Sequence, residues 1–182
     1  MADLIFHKIS WTQFAKDSLA LGKKIKQKKI KVDKIVAISR GGLVPARILS
    51  DSLSVPISHI TISSYKGTKQ TNEPFIDETP MKNFRGETIL IVDEVCDTGK
   101  TFERALSYFR NFSVKKIYTA APYTKSHRTF DPDFATKNID AWIIFPYDIR
   151  ETTETFRDIY KDETKVRKQL LEVGFEEWEL EE

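Results

Sequence analysis

A single cysteine, Cys96, among 182 residues excludes an intrachain disulfide and any site built from several cysteines. Glycine and proline are scarce, seven of each, which excludes collagen-like and linker-dominated chains. Long hydrophobic runs are absent. The most apolar stretches, such as Ile89-Leu90-Ile91-Val92, fall far short of the ~18 residues of a membrane span. No basic head with an apolar stretch behind it precedes Trp11, so no signal peptide and no membrane partner are expected, and the expected location is the cytoplasm. What is present is a chain 40% hydrophobic and 12% aromatic, too apolar to stay disordered.

Charge is unevenly spread. Residues 151–182 carry 11 acidic against 5 basic side chains, net −6, while the other 150 residues carry 24 basic against 16 acidic, net +8. A basic body with an acidic end suits an anionic partner, either nucleic acid or a phosphorylated small molecule. The lysine cluster from Lys23 to Lys34 has no interleaved aromatics. It reads as a solvated face, and no nucleic-acid partner is expected.

Ser10 with Gln13 has capping-box form, and Trp11, Phe14, Ala15, Leu21 and Ile25 recur at helical spacing, so a helix is expected over about 11–28. Ile35-Val36-Ala37-Ile38 reads as a buried strand entering the glycine loop Ser39-Arg40-Gly41-Gly42, with a helix behind it that carries Pro45 in its first turn. Residues 55–62 suggest a second strand, and 63–85 a long polar loop. Ile89–Val92 reads as a third strand, entering Asp93-Glu94-Val95-Cys96-Asp97-Thr98-Gly99-Lys100-Thr101 and a helix with Phe102, Ala105, Leu106 and Phe109 on one face. Residues 116–121 and 141–145 read as further strands. Strands alternating with helices predict an α/β domain with a mostly parallel sheet, whose ligands bind at the carboxyl ends of the strands.

Two loops with that placement suit anions. In one, paired glycines let backbone N–H groups approach closely beside Arg40. In the other, Asp97 to Thr101 opens a helix whose N-terminus favours phosphate. A Walker A loop is excluded, because it needs glycine five positions before Gly99 and position 94 is Glu. Asp93 and Glu94 beside a phosphate cup call for sugar hydroxyls, a divalent cation or a positive charge on the substrate.

Residues 89–101, I-L-I-V-D-E-V-C-D-T-G-K-T, resemble the phosphoribosyl-pyrophosphate motif of the type I phosphoribosyltransferases. Ser39 to Pro45 resembles the pyrophosphate loop of the purine branch, and Ile62 to Tyr65 the start of its flexible loop. Lys125 and residues 141–148 resemble its base-binding hood. The resemblance covers roughly residues 8–150 and is closest to the xanthine–guanine phosphoribosyltransferases of prokaryotic type. It implies a central parallel sheet with a small hood from the N-terminal segment and about 122–150, so that 1–150 form the domain and 151–182 an acidic extension. It also implies transfer of the phosphoribosyl group from phosphoribosyl pyrophosphate to a 6-oxopurine, with Mg2+, in purine salvage, by a dimer or tetramer. The alternative is a protein of the same fold that binds phosphoribosyl pyrophosphate without turnover.

Carried over residue by residue, the resemblance gives Asp97 the proton exchange with the purine imidazole, where composition alone offers a helix cap. Thr98, Gly99, Lys100 and Thr101 would hold the 5′-phosphate, and Asp93 and Glu94 the ribose hydroxyls. Arg40 and Gly41 would take pyrophosphate, with Asp93 and Asp148 toward the metal. Lys125 would reach the exocyclic oxygen of the base, Trp142 would stack on it, and Ile143 would offer it backbone groups. Ser64 and Tyr65 would begin a lid. Glu94 departs from the second Asp usual in the xanthine–guanine enzymes. Cys96 reads as a small neutral filler.

Overall fold

The computed structural model describes residues 5–66, 69–81 and 83–181, with the side chains of 64–72 left aside. In chain order the elements are β1 (Phe6–Lys8), α1 (Trp11–Gln27), β2 (Lys34–Ser39), α2 (Leu43–Leu53), β3 (Ile57–Lys66), β4 (Lys69–Glu78), β5 (Thr88–Val92) and β6 (Val95–Cys96). They continue with α3 (Lys100–Phe109), β7 (Lys116–Thr124), β8 (Phe134–Asn138), β9 (Trp142–Ile144), α4 (Ile149–Tyr160), α5 (Glu163–Glu172) and a short 3-10 turn, Glu177–Leu180. They form two compact units, residues 15–140 and residues 1–14 with 141–182.

The larger unit is a sheet of order β4-β3-β2-β5-β7-β6, with β8 also on β7. Every pairing is parallel except β3 with β4. Alternation along each strand builds a core on both faces. Ile35, Ala37, Leu90 and Val92 point to one side, against Leu21 and Ile25 of α1 and Leu49 of α2. Val36, Ile38, Ile89 and Ile91 point to the other, against Phe102, Ala105 and Phe109 of α3. A strand covered on both faces must be apolar throughout, which is why β5 is buried from end to end.

Residues 63–85, expected as a loop, instead hold much of a hairpin, in which Ile62 pairs with Ile76 and Ser63 with Phe75. This arm lies at the sheet edge and needs few apolar residues, so it lacks the signature of a buried strand. β8 lacks that signature too: Phe134 is its one well-buried residue.

A buried polar contact fastens α1 to the sheet. Tyr123 Oη donates to Asp17 Oδ2 at 2.8 Å, and Lys137 Nζ lies 2.8 Å from the other carboxylate oxygen. Asp17 is only 5% exposed, and burial followed by this hydrogen bond raises the Tyr123 phenol far above its ordinary pKa. Asp17→Ala strands the hydroxyl and costs about 2 kcal/mol. The expected readout is a melting temperature lower by about 4–8 °C. An unchanged melting curve would show that water replaces the carboxylate at no cost.

In the smaller unit β1 and β9 run parallel, with His7 opposite Ile143. Ile144, Phe156, Val166, Leu170 and Phe175 make its core, with Phe6 packed against them. Asp162 caps α5 by accepting from Lys165 N at 3.0 Å. Lys8 Nζ donates to Gly174 O at 3.0 Å, pairs with Glu179 and sits 4.5 Å over the Phe175 ring. Residues 122–140 belong to the sheet unit, and the acidic segment 151–182 is folded together with the N-terminal strand and residues 141–150. Its charges line the outer faces of helices whose Phe156, Val166 and Leu170 turn inward.

Candidate active site

β2, β5 and β7 are parallel neighbours, so their carboxyl ends open on one edge of the sheet unit. The loop after β2 turns tightly: Gly42 N donates to Ile38 O at 2.9 Å and Ala46 N to Gly42 O at 3.0 Å. The Ser39–Arg40 peptide is cis. Arg40 is exposed and Gly42 is buried. A Cβ at Gly42 would stand 2.4 Å from Val92 O and 2.6 Å from Ile38 O, so glycine is required where β2, β5 and the loop converge.

The loop after β5 begins with Asp93, 8% exposed, whose N donates to Ala120 O at 3.2 Å. Burial, and then the negative charge of Glu94, hold its carboxyl well above the usual carboxylate range. Glu94 reaches toward the first loop. A Cβ on Gly41 would fall 2.1 Å from the Glu94 carboxyl carbon, so the absence of a side chain at 41 makes room for the longer acid at 94. Among the described residues Glu94 Oε2 is buried without a hydrogen-bond partner.

Cys96 is 1% exposed, its thiol pushed up to about 11 by burial, which makes it an inert filler. Asp97 is exposed. It does not cap α3: Gly99 stands at the cap with φ 97°, and Lys100 N donates instead to Thr98 Oγ1 at 3.4 Å. The first-turn amides of α3 lack a carbonyl one turn earlier, which suits them to a phosphate.

The segment after β7 lies against this loop. Lys125 N donates to Cys96 O at 3.1 Å, and Thr129 N to Thr98 O at 2.9 Å. Cys96 Sγ donates to Phe130 O at 3.4 Å, and the Phe130 ring stacks on Phe102 at 5.6 Å. Lys125 is 9% exposed; burial lowers its pKa, with Asp97 and Asp140 opposing. His127 Nε2 lies 2.9 Å from Asp97 Oδ1. Nothing in the sequence pattern drew attention to His127; only a His two residues past Lys125 could have signalled it.

The edge thus gathers Arg40, Gly41, Asp93, Glu94, Asp97, Thr98, Gly99, Lys100, Thr101 and Lys125. Trp142, Ile143 and Asp148 belong to the other unit. Trp142 is 48% exposed rather than a core residue, Ile143 is buried within β9, and Asp148 is the cap residue of α4. Ser64 and Tyr65 fall within β3, Tyr65 opposite Gln70, and their side chains lie outside the described residues.

Two anion cradles, an acidic pair and a buried lysine at one edge of a parallel sheet fit a phosphorylated sugar and a polar acceptor. The model of the phosphoribosyl transferase domain matches residues 10–152. The chain belongs to the phosphoribosyltransferase family. It is 37% identical over 145 residues to the xanthine-guanine phosphoribosyltransferase of Desulfotalea psychrophila, covering 77% of this chain and 84% of that one. The purine phosphoribosyltransferase of Pyrococcus horikoshii superposes with a TM-score of 0.69 at 31% identity, covering 78% of this chain and 93% of that one. A Neisseria gonorrhoeae protein crystallised with bound ppGpp gives 0.73 at 26% identity, over 86% and 97%. The family match stops at 152, so most of α4 and all of α5 lie beyond it. As expected of the family, the chain is α/β with a mostly parallel central sheet flanked by helices. Among the described residues no helix is long and apolar enough to cross a membrane.

Proposed function

We propose that this phosphoribosyltransferase serves purine salvage, moving the phosphoribosyl group of phosphoribosyl pyrophosphate onto a 6-oxopurine: hypoxanthine, guanine or xanthine. The observation that carries the reading is the placement of Asp97 and Lys125 side by side, through Lys125 N on Cys96 O. A carboxylate that accepts a proton stands beside a cation that prefers an oxygen, which matches the imidazole N–H and the exocyclic oxygen of such a base. The relatives named as xanthine-guanine enzymes support the same substrate class.

The bond from the ribose C1′ to a purine nitrogen forms as the bond to pyrophosphate breaks. Positive charge develops on the sugar, and negative charge on the departing oxygen. Asp93 and Glu94 offer acceptors to the ribose hydroxyls and to the developing cation. Thr98 to Thr101 receive the 5′-phosphate, Arg40 and Gly41 the pyrophosphate, and Asp97 the imidazole proton. Ser64 and Tyr65 begin a lid over the sugar.

The acidic pair also fits Mg2+. Among the described residues Glu94 Oε2 is buried without a hydrogen-bond partner, and burial and then the Glu94 charge push the Asp93 carboxyl up, so a divalent cation would relieve the crowding of the two acids. Asp93 and Glu94 would hold the ion. When bound, Mg2+ offsets the charge of the pyrophosphate. A cytoplasmic homo-oligomer, dimer or tetramer, completes the reading.

The test is an absorbance assay with phosphoribosyl pyrophosphate, Mg2+ and five bases: hypoxanthine, guanine, xanthine, adenine and orotate. Turnover with a 6-oxopurine and not with adenine or orotate is expected. Binding of phosphoribosyl pyrophosphate without turnover on any base would replace the enzyme by a binding protein. Lys125→Ala is expected to raise the KM for the base about tenfold or more, the worth of one charged hydrogen bond, with little change in that for phosphoribosyl pyrophosphate. An unchanged base KM would remove Lys125 from the site. Because burial makes Lys125 release its proton more readily, base affinity in the wild type falls as pH rises, from below the ordinary lysine range. An affinity flat up to that range would contradict this.

A further inference from the structure

We infer that His127 is a positioning residue for Asp97: it orients the carboxylate that takes the purine proton and keeps that carboxylate from being captured by Lys125. The inference rests on the role proposed above for Asp97. Its observation is separate: His127 Nε2 stands 2.9 Å from Asp97 Oδ1.

The contact is poorly explained as a stabilising one. The side chains are 62% and 60% exposed, and exposed ion pairs add little to stability. Nor is it needed to hold the two loops together. Thr129 N and Thr129 Oγ1 both donate to Thr98 O, at 2.9 and 3.1 Å, and Lys125 N to Cys96 O at 3.1 Å. Those bonds secure the backbone and leave the Asp97 side chain free to turn about its own torsions.

The carboxylate also has a rival attraction. Lys125 lies within the field of Asp97, and a direct pair between them would neutralise both groups. The carboxylate would be turned toward the ammonium and away from the purine, and the cation would be turned from the base oxygen. An imidazole N–H on Oδ1 fixes one carboxylate oxygen and leaves the other to meet the substrate. Pre-set orientation of this kind is worth more to the rate than to binding.

The experiment is a double-mutant cycle in the hypoxanthine or guanine assay, with kcat, both KM values and the melting temperature measured. His127→Ala is expected to lower kcat by on the order of tenfold, leaving the KM for phosphoribosyl pyrophosphate and the melting temperature unchanged. His127→Gln, which keeps an N–H at similar reach, is expected to recover most of the loss. In an Asp97→Asn background, His127→Ala is expected to cost little more, because the group it orients is already disabled. If Asp97→Asn lowers turnover but His127→Ala does not, the positioning role is overturned while that of Asp97 stands. A loss that adds in full to that of Asp97→Asn, or that comes with a lower melting temperature and no recovery by Gln, overturns it too. If Asp97→Asn itself leaves turnover intact, the reading of Asp97 fails, and the inference with it.

Discussion

Asp97→Asn lowers kcat by about 10²- to 10⁴-fold, the range that a positioned proton acceptor supplies. The substitution keeps the size and shape of the side chain, retains an oxygen for His127 to meet, and removes the basic site. Phosphoribosyl pyrophosphate should bind almost as before, since the residues proposed for its 5′-phosphate are those that follow, from Thr98 into the first turn of α3. Steady-state kinetics with titration calorimetry of phosphoribosyl pyrophosphate separate the two quantities. A turnover equal to wild type would leave Asp97 without a role, because the structure gives the α3 cap to Gly99.

Gly42→Ala produces the largest structural effect. The backbone at Gly42, φ −66° and ψ −11°, is one that alanine adopts readily, so the cost is steric alone. The added carbon would meet Val92 O at 2.4 Å and Ile38 O at 2.6 Å, backbone atoms of two neighbouring central strands. Neither can retreat without parting β2 from β5. Overpacking of this kind costs about 3 kcal/mol, and a melting temperature lower by about 6–12 °C follows. Binding of phosphoribosyl pyrophosphate falls with it, as the loop is pushed off the strand ends. Gly41→Ala makes the instructive contrast. Its Cβ would overlap the Glu94 carboxylate, the end of a side chain that can swing away. Its melting temperature should stay close to wild type while affinity for phosphoribosyl pyrophosphate drops. Equal melting temperatures for Gly42→Ala and wild type would mean that the loop rearranges more easily than its hydrogen bonds suggest.

How legible each part was in the sequence follows from where its signal resides. β2, β5 and α3 were readable because a strand buried on both faces is apolar throughout and a helix on a sheet repeats its apolar face every three or four residues. The edge hairpin was not, since its exposed side carries polar residues and one buried face needs only a few positions such as Ile62 and Ile76. The segment 151–182 was read through its charge, yet charge describes the outer face of α4 and α5, whereas Phe156, Val166 and Leu170 decide where they pack.

The site divides in the same way. The anion loops, the acidic pair and Asp97 were present as consecutive residues, because a phosphate cup at a strand end is built from one short stretch of chain. The family could therefore be read from thirteen positions, 89–101. Contacts between stretches were not readable. That Glu94 leans on Gly41, that Lys125 is desolvated beside Asp97, and that His127 meets Asp97 across thirty positions depend on strands β2, β5 and β7 being neighbours. Local sequence determined which groups stand at each strand end. Only strand order and the packing of the loops decided which of those groups touch, because that is set by backbone hydrogen bonds between segments far apart in the chain.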